Sequence, residues 1–80
     1  MKPTGLGVMK FENGSIYEGQ WENGVRCGYG RLIQDTGNVY EGRWAKDLAN
    51  GYGVFSNLQG YRYEGNWLDD CQEGLGIETW

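Results

Sequence analysis

The sequence predicts an all-β fold, an antiparallel sheet of stacked β-hairpins with about seven strands. Three observations carry this expectation. Tyr17-Glu18-Gly19-Gln20-Trp21 returns as Tyr40-Glu41-Gly42-Arg43-Trp44 and as Tyr63-Glu64-Gly65-Asn66-Trp67, with a step of 23 residues each time. A fixed period of this size marks stacked structural units. The chain has fifteen glycines and one proline in 80 residues, and the glycines fall in register with bulky aromatics. Each Gly costs a helix interior about 1 kcal/mol, so long helices are disfavoured. Around each pentapeptide the residues alternate with period 2, which is the signature of a strand.

Taken in order, residues 1–16 form the second half of a unit. They contain Gly5-Leu6-Gly7, then Val8-Met9-Lys10-Phe11, and end at Asn13-Gly14. Residues 17–39 make the first full unit. Tyr17 to Trp21 reads as a strand, with Tyr17, Gly19 and Trp21 on one face and Glu18 and Gln20 on the other. Glu22 to Cys27 reads as a polar connection carrying Asn23-Gly24, a strong turn dipeptide. Gly28 to Gln34 is the return strand, and Asp35 to Asn38 turns into the next unit. Residues 40–62 and 63–80 repeat the plan. Two strands and two turns use all 23 residues, which leaves no room for a helix.

The glycines have a packing reason. Gly19, Gly42 and Gly65 lie between a Tyr and a Trp on one strand face. Gly28 and Gly30, Gly51 and Gly53, and Gly74 and Gly76 are expected to share a face of the return strand. Without side chains there, large rings can lie over the backbone. A single hairpin is marginal in water, so the units must stack and share an aromatic layer.

Composition narrows the function. The formal charge is −4 and the pI about 4.6, with seven basic residues in no run. This argues against nucleic acid, where Lys and Arg neutralise phosphates, and less firmly against an anionic membrane surface. Met1-Lys2-Pro3 is followed by glycines rather than an apolar run, so no signal peptide is expected, and no stretch approaches the roughly 20 apolar residues of a helical span. The default expectation is a soluble intracellular chain. Cys27 and Cys71 sit at different phases of the repeat and read as reduced thiols.

The pattern Tyr-x-Gly-x-Trp-x-x-Gly-x-x-x-Gly-x-Gly, followed by Gly-x-x-Tyr, resembles the MORN (membrane occupation and recognition nexus) repeat. Tyr17, Gly19, Trp21, Gly24, Gly28, Gly30 and Gly37 match it throughout. The second and third units replace the turn glycine with Asp47 and Asp70, which Asp tolerates, with a different loop shape expected. The resemblance covers essentially the whole chain. It implies a single-layer, gently twisted antiparallel sheet. It also implies attachment rather than catalysis, with a groove or sheet face holding a partner peptide, another copy of the repeat, or lipid. Similar proteins include junctophilins, axonemal proteins and apicomplexan cytoskeletal scaffolds, and the repeats also occur as appendages of some lipid kinases and methyltransferases.

Candidate chemistry is sparse. Glu18, Glu41 and Glu64 would stand about 10 Å apart on stacked hairpins. They are equivalent positions expected on the wet face, opposite Lys or Arg, and not a catalytic pair. The chain has no His. Ser15 and Ser56 have no base nearby in sequence, and two out-of-phase cysteines cannot close a zinc site. The Gly-x-Gly pairs lack the third glycine and the helix of a nucleotide loop. No cofactor and no metal site is expected. The remaining candidate is the aromatic ladder of Tyr17, Trp21, Tyr40, Trp44, Tyr63 and Trp67. It is mostly the fold's own packing, with part expected to be open as a partner-binding stripe. Tyr29 and Tyr52 point the other way and suggest a second, smaller stripe near Ile33 and Phe55, although Phe55 should face away from Tyr52. The half-unit at the start and the absence of a polar cap at Trp80 suggest a segment of a longer array, or ends covered by another chain.

The function expected is a non-catalytic scaffold binding proteins in a cytoskeletal or axonemal assembly. A phosphoinositide-binding module, or a regulatory appendage of an enzyme, is the alternative.

Overall fold

The structure, a computed structural model, describes residues 4–80. The readings made on Met1-Lys2-Pro3 lie outside the described residues. Alternating sequence and turn signals produce seven strands: β1 (Gly5–Lys10), β2 (Ile16–Glu22), β3 (Val25–Ile33), β4 (Val39–Ala45), β5 (Leu48–Ser56), β6 (Arg62–Leu68) and β7 (Cys71–Thr79). They form one open antiparallel sheet in sequence order, β1 to β7, with no helix among the described residues. The molecule measures 42 × 25 × 16 Å. Stacked sheets lie about 10 Å apart, so the short dimension admits one sheet and one layer of side chains.

Two expectations about the hairpins change. The stretch Glu22 to Cys27 is not a long connection. Asn23 and Gly24 make a two-residue turn with φ of 51° and 83°, and β3 begins at Val25. Positive φ at both central residues is the type I′ geometry, whose twist suits an antiparallel pair. Lys46-Asp47 (φ 52° and 72°) and Asp69-Asp70 (φ 48° and 70°) make the same turn, so the aspartates keep the loop shape rather than alter it.

The second change concerns the paired glycines. Between the pairs Gly19↔Gly30 and Trp21↔Arg26, β2 advances two residues while β3 advances four. The surplus forms a bulge, where Gly28 adopts φ 65°. The backbone rotation there aims Gly28 at the Gln20 side chain, while Gly30 faces the Tyr17 ring. Gly28 and Gly30 therefore lie on opposite faces, because a left-handed residue breaks the period-2 rule. In β5, Gly51 at the bulge meets the Arg43 stem while Gly53 lies against the Tyr40 ring. Gln20 Oε1 accepts the Tyr29 N–H at 2.7 Å and stitches the bulge closed.

Gly30, Gly53 and Gly76 do what the sequence implies. A Cβ on Gly30 would overlap the Tyr17 phenol, on Gly53 the Tyr40 phenol, and on Gly76 the Tyr63 ring. Gly19, Gly42 and Gly65 face these glycines across the ladder, as the pairs Gly19↔Gly30, Gly42↔Gly53 and Gly65↔Gly76. Each tyrosine thus lies across a floor of two glycines.

The core consists of Tyr17, Trp21, Tyr40, Trp44 and Ala49, with Phe11, Leu32 and Trp67 packed against it. Small apolar side chains are scarce, so burial and ring geometry carry the cohesion. In the last hairpin Tyr63 is also buried, whereas β7 is exposed along its length.

Candidate functional site

The ladder is a zigzag of perpendicular rings. Tyr17 meets Trp21 at 5.1 Å and 80°, and Trp44 at 5.3 Å and 90°. Tyr40 meets Trp44 at 5.2 Å and 89°, and Trp67 at 5.1 Å and 81°. Tyr63 closes the row on Trp67 at 5.5 Å and 86°. Each tyrosine thus bridges the Trp of its own strand to the Trp of the next unit, where there is one. Edge-to-face pairs add about 0.5–1.5 kcal/mol each beyond area burial.

The polar tips of the rings are satisfied periodically. Tyr17, Tyr40 and Tyr63 donate to the carbonyls of Gln20 (3.1 Å), Arg43 (3.0 Å) and Asn66 (3.4 Å). The indole N–H groups of Trp21, Trp44 and Trp67 donate to the carbonyls of Gly7 (3.4 Å), Gly30 (3.1 Å) and Gly53 (3.3 Å). Burial pushes the Tyr17 and Tyr40 phenols up to about 12 from 10.0; Arg26 opposes the rise at Tyr17, and Asp70 adds to it at Tyr40.

These contacts make most of the ladder internal packing. Tyr17, Trp21, Tyr40, Trp44 and Tyr63 are buried within this chain. Only Trp67 of the six remains half-buried. The rings are a core first: Tyr17 and Tyr40 are each covered by the Trp of the following unit, and Tyr63 packs on Trp67 of its own strand.

Arg26 and Ala49, which sequence reasoning passed over, complete the ring face together with Asp47 and Asp70, which it read only as turn residues. The Arg26 guanidinium carbon lies 4.6 Å from the Trp44 ring centroid, 5.7 Å from Tyr17 and 5.9 Å from Phe11. Arg26 Nε meets Asp47 Oδ1 at 3.0 Å, and Nη2 donates to the Asp47 carbonyl at 2.9 Å. The Arg26 backbone N–H also donates to Asp47 Oδ1 at 2.7 Å, and the Asp47 N–H donates back to the Arg26 carbonyl at 3.1 Å. Burial pushes the Asp47 carboxyl up, but the hydrogen bonds and charge of Arg26 outweigh it and hold the group below its ordinary 3.8. One unit on, the backbone half of this clasp recurs. Ala49 N–H donates to Asp70 Oδ1 at 2.6 Å, and Asp70 N–H donates to the Ala49 carbonyl at 3.0 Å. The signal available in the sequence was the pair of aspartates replacing a turn glycine at one phase, each 21 residues after its partner.

Beside Ala49 the ring face opens into a groove of about 340 Å³. It is lined by Tyr40, Trp44, Ala49, Phe55, Trp67 and Asp70, together with Leu32, Gln34 and Arg26. The Phe55 ring lies 6.3 Å from that of Trp67, tilted by 52°, on the ring face and away from Tyr52 as expected.

The opposite face carries Tyr29 and Tyr52, both about half exposed. They belong to a longer set, because Leu6 and Leu75 occupy the same position between paired glycines and are also exposed. Arg31 stands between Glu18 and Glu41 in register, as expected. Glu64 departs from that pattern. Its cross-strand neighbours are Val54 and Ile77, and its basic partner is Arg62 of its own strand at 3.4 Å. Cys27 and Cys71 are free thiols. No group of three or more His, Cys, Asp or Glu could hold a metal among the described residues. No helix of the described residues is long and apolar enough to cross a membrane.

The sequence profile of the MORN repeat matches residues 2–16, 17–39, 40–57 and 63–80. This chain belongs to the MORN-repeat family. The last three matched segments begin at the strands that carry Tyr17, Tyr40 and Tyr63 and run into the return strands, so a full MORN unit here is one hairpin with its rings and glycines. MORN repeats are protein- and membrane-interaction modules and are generally non-catalytic. No curated protein matches the chain.

Proposed function

We propose that this MORN chain is a non-catalytic scaffold that binds protein partners within a larger cytoskeletal or axonemal assembly in the cytoplasm. The observation that carries this reading is the groove beside Ala49, an aromatic recess open on the ring face of an otherwise self-packed sheet. Grooves lined by aromatic and apolar side chains with a few polar groups are the usual form of binding sites. The balance of charge, −4 overall, favours protein over an anionic lipid surface.

Two measurements test the reading together. In extracts of ciliated cells, the chain is expected to retain cytoskeletal proteins, and a variant with the groove filled is expected to lose them. In liposome flotation, binding is expected to be absent with and without anionic lipid. Flotation that rises with anionic lipid and falls with salt, without protein capture, would replace the scaffold reading with a membrane one.

A further inference from the structure

We propose that the groove beside Ala49 is a receptor for an arginine side chain of a partner protein. The inference rests on the protein-binding reading above and names the chemistry of the contact. Its template lies inside the molecule.

Shift every residue of the Arg26 site by 23 positions and the groove appears. Trp44 becomes Trp67, Tyr17 becomes Tyr40, Asp47 becomes Asp70, Phe11 becomes Gln34 and Arg26 becomes Ala49. All five of the shifted residues line the groove. The backbone frame is the same, since Arg26 and Ala49 each exchange hydrogen bonds with the aspartate 21 residues later. The ring frame is the same too. The Tyr17–Trp44 pair stands at 5.3 Å and 90°, and the Tyr40–Trp67 pair at 5.1 Å and 81°.

What differs is the occupant. At the first site a guanidinium covers the indole of Trp44, which is buried. At the second, Ala49 is too short to reach over the rings, and Trp67 stays half-buried. Asp70 keeps its carboxylate at the rim, with one oxygen engaged by the Ala49 N–H. An incoming guanidinium would lie over the indole of Trp67 and the edge of Tyr40. Its N–H groups would meet Asp70 as those of Arg26 meet Asp47. Arginine suits this arrangement better than lysine, because a planar guanidinium stacks on a ring while donating sideways to a carboxylate. Arg26, which also lines the groove, is already matched by Asp47, so it does not cancel the charge of Asp70.

The test uses the full chain and a blocked tripeptide, acetyl-Gly-Arg-Gly-amide, followed by the indole N–H resonances in NMR titration. The Trp67 resonance is expected to shift most, with that of Trp21, which lies outside the groove, unmoved. The citrulline peptide, equal in shape but neutral, should bind at least about tenfold more weakly, as should Asp70→Asn with the arginine peptide. Ala49→Arg is expected to fill the groove from within, abolish the shift and raise the melting temperature. The proposal is overturned if citrulline and arginine peptides bind alike, or if Ala49→Arg still binds the peptide. It is also overturned if phosphocholine vesicles move the Trp67 resonance and the peptide does not. Peptide binding without capture of proteins from extract would reject the scaffold reading and leave the arginine site standing; capture without peptide binding would do the reverse.

Discussion

The Arg26 site and the Ala49 groove are built on one frame and end as different objects. Both have a Tyr and a Trp at right angles and a turn aspartate clasping the backbone of the preceding unit. At the first, a cation seals the rings and the unit is finished. At the second, a methyl group leaves them open. A repeat protein can therefore keep a position structural in one unit and release it for binding in the next, at the cost of a single side chain. The shared frame tolerates this because its cohesion comes from ring pairs and glycine floors, not from the side chain at that position.

The largest expected effect breaks the frame where it is sealed. Trp44→Ala removes a buried indole that contacts Tyr17, Tyr40 and Arg26, and should cost about 3–5 kcal/mol. Trp67→Ala, at the open site, should cost less, about 2 kcal/mol, because part of the ring is already in water. Urea unfolding of the two variants checks the order, and equal losses would mean the two sites are not distinct. Next come Gly30→Ala and Gly53→Ala, which drive a methyl into the Tyr17 and Tyr40 phenols respectively. Both should lose about 3 kcal/mol, since overpacking has nowhere to relax between two paired strands. If the frames are equivalent, the two losses agree.

A smaller effect turns one site into the other. Arg26→Ala gives up the stacked cation and two of its bonds to Asp47 while keeping the backbone clasp, for a loss of about 1–2 kcal/mol. The same variant should expose the Trp44 indole, detected as a red shift of its fluorescence. Alkaline titration probes both tyrosines at once. Their phenols are raised to about 12 in the fold from 10.0, so the protonated form is the folded one. Their contribution is complete below pH 10 and falls away between pH 10 and about 12. Phenolate absorbance and the strand signal in circular dichroism should change together in that window.

The smallest effect lies at the acid end. Asp47 is held below 3.8, so its contribution is present above the ordinary carboxylate range and is lost as pH falls through its folded value. The carboxylate is nearly half exposed, which limits the loss to about 0.5 kcal/mol. Asp47→Asn should flatten the acid limb of the stability curve. An unchanged slope would show that the clasp depends on the backbone bonds alone.

Much of this fold is legible from spacing. Tyr17, Gly19 and Trp21 recur with the return-strand glycines, and the structure uses them as rings and floor. The Gly-x-Gly pair was legible only in part. Gly30 follows the alternation of the strand, but Gly28 sits in a bulge, and no local pattern announces two surplus residues opposite Gln20. The hairpin turns were visible at Asn23-Gly24 and obscured at Lys46-Asp47, where two non-glycine residues accept positive φ. The candidate site was the least legible. The groove exists because position 49 is Ala where position 26 is Arg, and that difference has meaning only once the ring row and the clasp are known.

The sequence by itself determined the unit, its length, its two strands and the residues that must be rings or glycines. Those follow from local sterics and period, which a chain carries in its order. Only the tertiary structure decided which rings are covered, because coverage comes from the next unit 23 residues away. It also decided that an aspartate in a turn holds the strand of its neighbour, and that one arginine closes a site whose repeat stands open.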